Sequence, residues 1–289
     1  MELSLGRISY SDPLGFIASG LFDGERFSYH TEMGTISFGA FYTGFIYKKR
    51  INIGMTDEDK KLNDIAIDYD NFSDSYFAPR RVLAALDWEH QGLGERVYAR
   101  FSFLGQFDFT GAELYSQYIT GKMIVPFKIF TISFGGCLEI VEYSDNKDIA
   151  LAAELGTAWR TSSSSFSILA RYSSAKSDSM VEFKPVTTNA QGQILSEKLS
   201  GISLASMNYT ARLQQTFTIS FTPSYFFLSD YKNTRGKIFM GPEFFGAFYW
   251  SPLPDINVNL GAGVFLPSIG NVGGKTLWRV ELNLVLSML

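Results

Sequence analysis

RVYARFSFLGQFDFTG, residues Arg96–Gly111, puts Val97, Ala99, Phe101, Phe103, Phe107 and Phe109 on every second position, with Gly105 the one gap. Tyr98, Arg100, Ser102, Leu104, Gln106 and Asp108 fall between them. Successive side chains of a β-strand point to opposite faces, so a period of two predicts a strand with one phenylalanine face and one mixed polar face. A water-soluble antiparallel sheet hides its apolar face over a core and shows the polar one. One such strand fits that arrangement. A chain full of them, with arginines and carboxylates on the second face, asks for another.

The pattern recurs. Val82, Ala84, Leu86 and Trp88 oppose Arg81, Asp87 and Glu89. Phe130, Ile132, Phe134, Leu138 and Ile140 oppose Thr131, Ser133, Gly135, Cys137 and Glu139. Ile149, Leu151, Ala153, Leu155 and Trp159 oppose Glu154, Gly156 and Arg160. Similar runs occupy 165–173, 216–227, 256–266 and 277–289. Segments 34–46, 112–124, 200–213 and 237–250 follow the template less cleanly, and 2–9 and 25–32 only weakly. Short connectors (Thr31–Gly34, Gln91–Gly94, Val125–Phe127, Ser162–Ser165, Leu213–Gln215, Ser251–Asp255) alternate with longer ones, notably 48–79 and 174–199.

Composition sets outer bounds. Aromatic residues make up 16% of the chain and the formal net charge is −4. No basic block is present, so nucleic acid is not an expected partner. There is no apolar run of about 18 residues, which excludes a membrane-spanning helix. A single cysteine, Cys137, permits no internal disulfide. Met1–Ser4 lacks the basic and apolar regions of an export leader, so an exported form would start from a processed or trimmed end.

These observations converge on an all-β fold: a closed antiparallel up-and-down transmembrane β-barrel, one domain over residues 1–289, with about 14 strands and 12 or 16 as alternatives. Each segment suits the roughly 9–11 residues that cross a bilayer at a tilt. The phenylalanine face would meet lipid and the mixed face a wet lumen. Closure satisfies every backbone polar group without leaving an edge, which hydrocarbon demands. Trp88, Trp159, Tyr172, Tyr225, Trp250 and Trp278, near strand ends, would form interfacial girdles. A soluble propeller would show a repeat near 40 residues, and none is found.

The chain resembles Gram-negative outer-membrane β-barrels of the porin type over nearly its whole length. LGRISYSDPLGFIASGLFDG, Leu5–Gly24, is similar to the start of the alginate-export and substrate-specific porins, where a Leu-Gly-Arg strand precedes a Gly-rich loop. The pattern departs at the end, where such barrels usually finish on an aromatic and this sequence has Met288-Leu289. The resemblance implies passive transport in the bacterial outer membrane. Its partners would be outer-membrane lipid, a lipopolysaccharide-type surface, the barrel assembly machinery and small solutes. Assembly into an oligomer is left open.

Alternation assigns to the lumen Arg81, Arg96, Arg100, Arg160, Arg171, Arg212 and Arg279, with Asp87, Glu89, Asp108, Glu139, Glu154, Glu243 and Glu281. Opposed charges across a constriction set a transverse field that orients solutes; alternatively, they pair and brace the wall. Residues 11–24 are expected to form a mouth or constriction loop, with Asp12 capping a short helix that Pro13 begins and Gly20 ends. Its Leu14, Phe16 and Ile17 need a surface to cover them. The acidic loop 48–79 lacks the spacing of a calcium site. His30 and His90 both lie beside short turns, and no nucleophile constellation, metal-ligand cluster or phosphate loop accompanies them. No metal, cofactor or enzymatic activity is expected. The expected function is a channel for passive diffusion of small hydrophilic solutes. The alternatives are a selective transporter, for which Leu83, Leu104, Leu169, Phe226, Phe239, Phe245, Tyr98 and Tyr249, assigned to the lumen face, keep open a path for hydrophobic solutes, and a surface adhesin or structural barrel acting through its long loops.

Overall fold

A computed structural model describes residues 1–94, 96–109, 115–143, 146–177, 179–230, 232 and 234–287. Fourteen strands follow one another in sheet order, each antiparallel to the next wherever the register is resolved. They are β1 (Glu2–Ser11), β2 (Ser19–Thr31), β3 (Gly34–Tyr42), β4 (Arg81–Leu93), β5 (Val97–Asp108), β6 (Tyr115–Phe127) and β7 (Phe130–Tyr143). Then come β8 (Asn146–Arg160), β9 (Ser164–Ser173), β10 (Ile202–Gln214), β11 (Phe217–Leu228), β12 (Phe239–Leu253), β13 (Ile256–Phe265) and β14 (Leu277–Leu286). Two compact units divide the chain: Met1–Met123, Gly135–Ala152 and Ser177–Asn189 form one, and Ile124–Phe134, Ala153–Lys176 and Ala190–Leu289 the other.

The alternation that predicts the strands is present in three dimensions. On β5, Phe101, Phe103 and Phe107 are exposed, while Ser102, Leu104, Gln106 and Asp108 are buried. The same exposed row continues across the first unit as Ile36 and Phe38 on β3 and Leu86 on β4. We call this the outer face; the inner face is the one on which the loops pack. The β2–β3 hairpin closes in two residues because Gly34 takes φ +113°, and a Cβ there would meet the Glu89 carbonyl oxygen at 2.4 Å.

Four sequence expectations are corrected. The loop expected over 11–24 spans only 12–18, since β2 begins at Ser19, and it forms turns and bends rather than a helix, because the Asp12 carboxylate gathers backbone N–H groups on a tighter curve than a helix allows. Segment 43–80 contains two helices, α1 (Asp57–Asp64) and α2 (Phe72–Tyr76), where a solvated acidic loop is expected over 48–79. The hairpin expected at Val125–Phe127 turns at Lys128 and Ile129, with Lys128 in the left-handed region at φ 53°. Phe239, assigned inward by alternation, is 42% exposed, because the ladder shifts between Phe226 and Phe227 and Gly241 takes φ +132°.

Candidate functional site

In the first unit the inner face carries a compact charged cluster. Asp87 on β4 receives Arg100 of β5 at 3.6 Å and Arg26 of β2 at 3.9 Å. The Tyr10 hydroxyl of β1 reaches Asp87 Oδ1 at 3.3 Å and Ser102 Oγ at 3.2 Å. Strand pairing brings these together: β4 and β5 register Asp87 opposite Ser102 and Glu89 opposite Arg100. Arg100 Nη2 also donates to the Ser11 carbonyl, which ties the wall to the first turn. Two guanidiniums therefore share one carboxylate, and the Nε of each is buried without a hydrogen-bond acceptor. Glu89, registered opposite Arg100, adds a second carboxylate to this part of the inner wall, so its charges balance. Behind it, the Tyr10, Phe22 and Phe41 rings pack with centroids 5.1–6.4 Å apart.

The turn at 12–18 is organised by Asp12. Its Oδ2 accepts the N–H groups of Leu14 and Gly15 and its Oδ1 those of Ile17 and Ala18, at 2.8–3.1 Å. Burial pushes the Asp12 carboxyl above the ordinary range, and those four donors pull it back part of the way. Leu14, Phe16 and Ile17 are buried as a covering surface requires. Leu14 lies where Gly135 has no side chain, and a Cβ there would stand 2.4 Å from its methyl.

Arg81, 1% exposed, anchors segment 43–80. Its guanidinium pairs with Asp59 of α1, lies 3.3 Å from Asp108 and donates to the Gly54 carbonyl at 2.6 Å. Three of the loop's other acids are also engaged locally. Asp74 meets Arg80 at 2.5 Å, Asp64 meets Lys49 at 3.6 Å, and Asp68 accepts the Asp70 N–H. Among the described residues no group of three or more His, Cys, Asp or Glu side chains is placed to hold a metal ion.

The long connection after β9 behaves unlike a free surface loop. In the first unit, Glu139 accepts the Lys184 N–H at 2.8 Å and the Ser116 hydroxyl at 3.2 Å, while the Tyr118 hydroxyl donates to the Lys184 carbonyl. Phe183 and Val186 are buried, and Thr187 bonds the backbone of Ile17 and Ser19. In the second unit, Glu243 accepts the consecutive N–H groups of Gln193, Ile194 and Leu195 at 2.7–3.0 Å. Arg279 donates to the Gln193 carbonyl and pairs with Glu281 at 2.6 Å; Arg171 pairs with Glu154 at 2.7 Å and donates to Gln191. Ile194 occupies the space left by Gly263.

The inner-face candidates thus fall into groups. Asp87 and Arg100 form the exposed-edged cluster. Arg81 and Asp108 hold segment 43–80. Glu139, Glu154, Arg171, Glu243, Arg279 and Glu281 contact, or pair with residues that contact, the inserted connection. Glu89 sits near the turn end of β4, beside Gln91 at 3.2 Å, and Arg96 lies in the turn before β5. Arg160 and Arg212 flank the turn at 161–163 in a cavity of about 190 Å³ with Thr210 and Thr218. Tyr10 and Arg26 were missed, because β1 and β2 carry weak alternation. The insertion was missed too, although Phe183, Val186, Ile194, Leu195 and Leu199 in an otherwise polar stretch are its signal.

No family model matches the sequence, and no curated protein matches it. Solved structures do. Pseudomonas aeruginosa OpdK superposes with a TM-score of 0.64 at 8% identity, covering 98% of this chain and 76% of that one. P. aeruginosa OccK11 (OpdR) gives 0.62 at 10% identity with the same coverage. A BenF-like porin from Pseudomonas fluorescens Pf-5 gives 0.57 at 8% identity, covering 93% and 70%. At such identities the likeness is one of fold: an all-β, up-and-down porin architecture.

Proposed function

We propose that this chain is an outer-membrane channel that passes small hydrophilic solutes by passive diffusion, and that β1 and β14 pair to close the sheet into a barrel. Among the described residues each of these strands has a sheet neighbour on one side, and each shows leucines on its outer face, Leu3 and Leu5 on β1 and Leu282 and Leu284 on β14. An open edge beside such a face would leave backbone polar groups unsatisfied in hydrocarbon. The fold shared with OpdK, OccK11 and the BenF-like porin supports the channel reading, and no catalytic step is assigned.

The observation that carries the reading is the Arg26–Asp87–Arg100 cluster. A sheet built only as a membrane scaffold gains nothing from charged side chains packed on its inner wall, with two guanidinium Nε groups lacking acceptors. A channel does, because fixed charge on a narrow wall selects among solutes. The unsatisfied guanidinium N–H groups of Arg26 and Arg100 favour a small carboxylate among solutes. Liposome swelling tests this. Vesicles carrying the protein should swell faster in small monosaccharides than in trisaccharides, and faster in a small carboxylate such as vanillate, with which OpdK has been solved, than in a cation of equal size. Vesicles that swell no faster than protein-free ones overturn the reading.

A further inference from the structure

On β1 to β5 the charged residues of the outer face are gathered in one place. Row by row across the strands that face reads Tyr29, Ile36, Trp88 and Phe101, then Leu3, Phe27, Phe38, Leu86 and Phe103. The next row is Leu5, Glu25, Ala40, Ala84 and Gly105, and the one after is Arg7, Asp23, Tyr42, Val82 and Phe107. Exposed Leu21 follows on β2. Three charged residues therefore sit in the middle of β1 and β2, between the apolar Leu3–Phe27 row and the mixed Ser9–Leu21 pair, on the face that elsewhere presents phenylalanine. Next to them the small side chains of Ala40 and Ala84 leave a depression. A cavity of about 520 Å³ opens there between Leu5, Arg7, Glu25, Ala40, Tyr42 and Phe45.

The charges are unevenly matched. Arg7 is bidentate to Asp23, using Nε at 2.9 Å and Nη2 at 3.0 Å, which leaves its Nη1 uncommitted. Its side chain is 51% exposed. Glu25 is exposed and has no hydrogen bond or ion pair among the described residues. A lone carboxylate beside a half-used guanidinium, facing hydrocarbon, is destabilising unless a surface of opposite charge covers it.

We propose that this face is the contact between two copies of the chain, related by a two-fold axis along the membrane normal. The proposal rests on the membrane-spanning reading above. Copies inserted the same way present the same patch at the same depth, so a two-fold contact is self-complementary. Arg7 Nη1 of each copy then meets Glu25 of the other, while Nε and Nη2 stay on Asp23. The charged groups leave lipid for a shared, buried ion-pair network, and the Ala40–Ala84 depression lets the two walls approach closely. Glu25 and the spare guanidinium donor gain partners that no lipid tail supplies.

The test uses the full chain in detergent and in native membranes. Sedimentation should give twice the monomer protein mass for the wild type and the monomer mass for Glu25→Arg and for Arg7→Glu. The double variant Arg7→Glu/Glu25→Arg should restore the dimer. Heat-modifiable gel mobility verifies folding of every variant, and solute flux reports independently on the channel reading. Oxidation of Ala40→Cys in membranes should double the apparent mass on a non-reducing gel, whereas Ile132→Cys, on the outer face of β7, should not; the native Cys137 is buried. A monomeric wild type, a higher oligomer, a dimer indifferent to both single variants, or equal cross-linking at both cysteines overturns the proposal.

Discussion

Glu243 and Asp12 show what a single carboxylate does on this scaffold: each collects successive backbone N–H groups and so fixes the path of a segment that has no regular structure. Hydrogen bonds to a charged acceptor contribute roughly 1.5–3 kcal/mol each, and consecutive ones on one carboxylate add less than their sum. Glu243→Ala should release residues 191–195, making Lys198 newly susceptible to trypsin while the strands stay folded; Glu243→Gln, which keeps one acceptor oxygen, should give intermediate cleavage. Unchanged cleavage in the alanine variant would mean that packing of Ile194 and Leu195, both buried, holds the segment alone. At this scale the sequence is half legible. Period two puts Glu243, Asp87 and Arg100 on the right face, because facing depends on local backbone alone. Their partners are not legible. A carboxylate that binds main-chain N–H groups of another segment leaves no residue-type signature, and Arg26 was invisible because its own strand was barely recognisable.

The strength of each strand's signal tracks the continuity of its outer face. On β5 three exposed phenylalanines alternate without a charge, and the strand can be read at once. On β1 and β2 the outer face holds Arg7, Asp23 and Glu25, Gly6 takes φ +106°, and alternation fades, although both strands form and pair over ten registered positions. The loops were least legible, since segment 12–18 and segment 179–200 have neither helical nor strand period and owe their paths to tertiary contacts. The two faces of one element should also respond differently to charge. Phe103→Arg, on the outer row, should destabilise the folded sheet by about 2–4 kcal/mol if it lies at the bilayer midplane. Ser220→Arg, on the inner face of β11, should cost far less. Urea titration in lipid vesicles, followed by tryptophan fluorescence, measures both. Equal losses would mean that the outer face does not meet hydrocarbon.

For the whole molecule the decisive property is conduction, and it depends on two features of the inner face. The guanidinium Nε groups of Arg26 and Arg100, which lack acceptors beside Asp87, predict a modest preference for anions in planar bilayers. Arg100→Glu removes one guanidinium and adds a carboxylate beside Asp87 and Glu89, so the reversal potential should move toward cation preference. The shift should shrink in concentrated salt, because screening shortens from about 10 Å at 0.1 M to about 3 Å at 1 M. The second feature is the inserted connection. Its residues 183–187 lie on the inner face of one unit and 191–195 on that of the other, held by Glu139 in the first case and by Glu243 and Arg279 in the second. Side chains and backbone on an inner wall occupy space that solute would use. Replacing 183–195 by a short Gly-Ser linker should therefore raise single-channel conductance several-fold while leaving the Arg100-dependent selectivity in place, since the Asp87 cluster belongs to strands the linker does not touch. A linker variant that conducts no better than the wild type would assign the narrowing to segments 12–18 and 43–80. A protein silent in both forms would turn the reading from channel to surface scaffold.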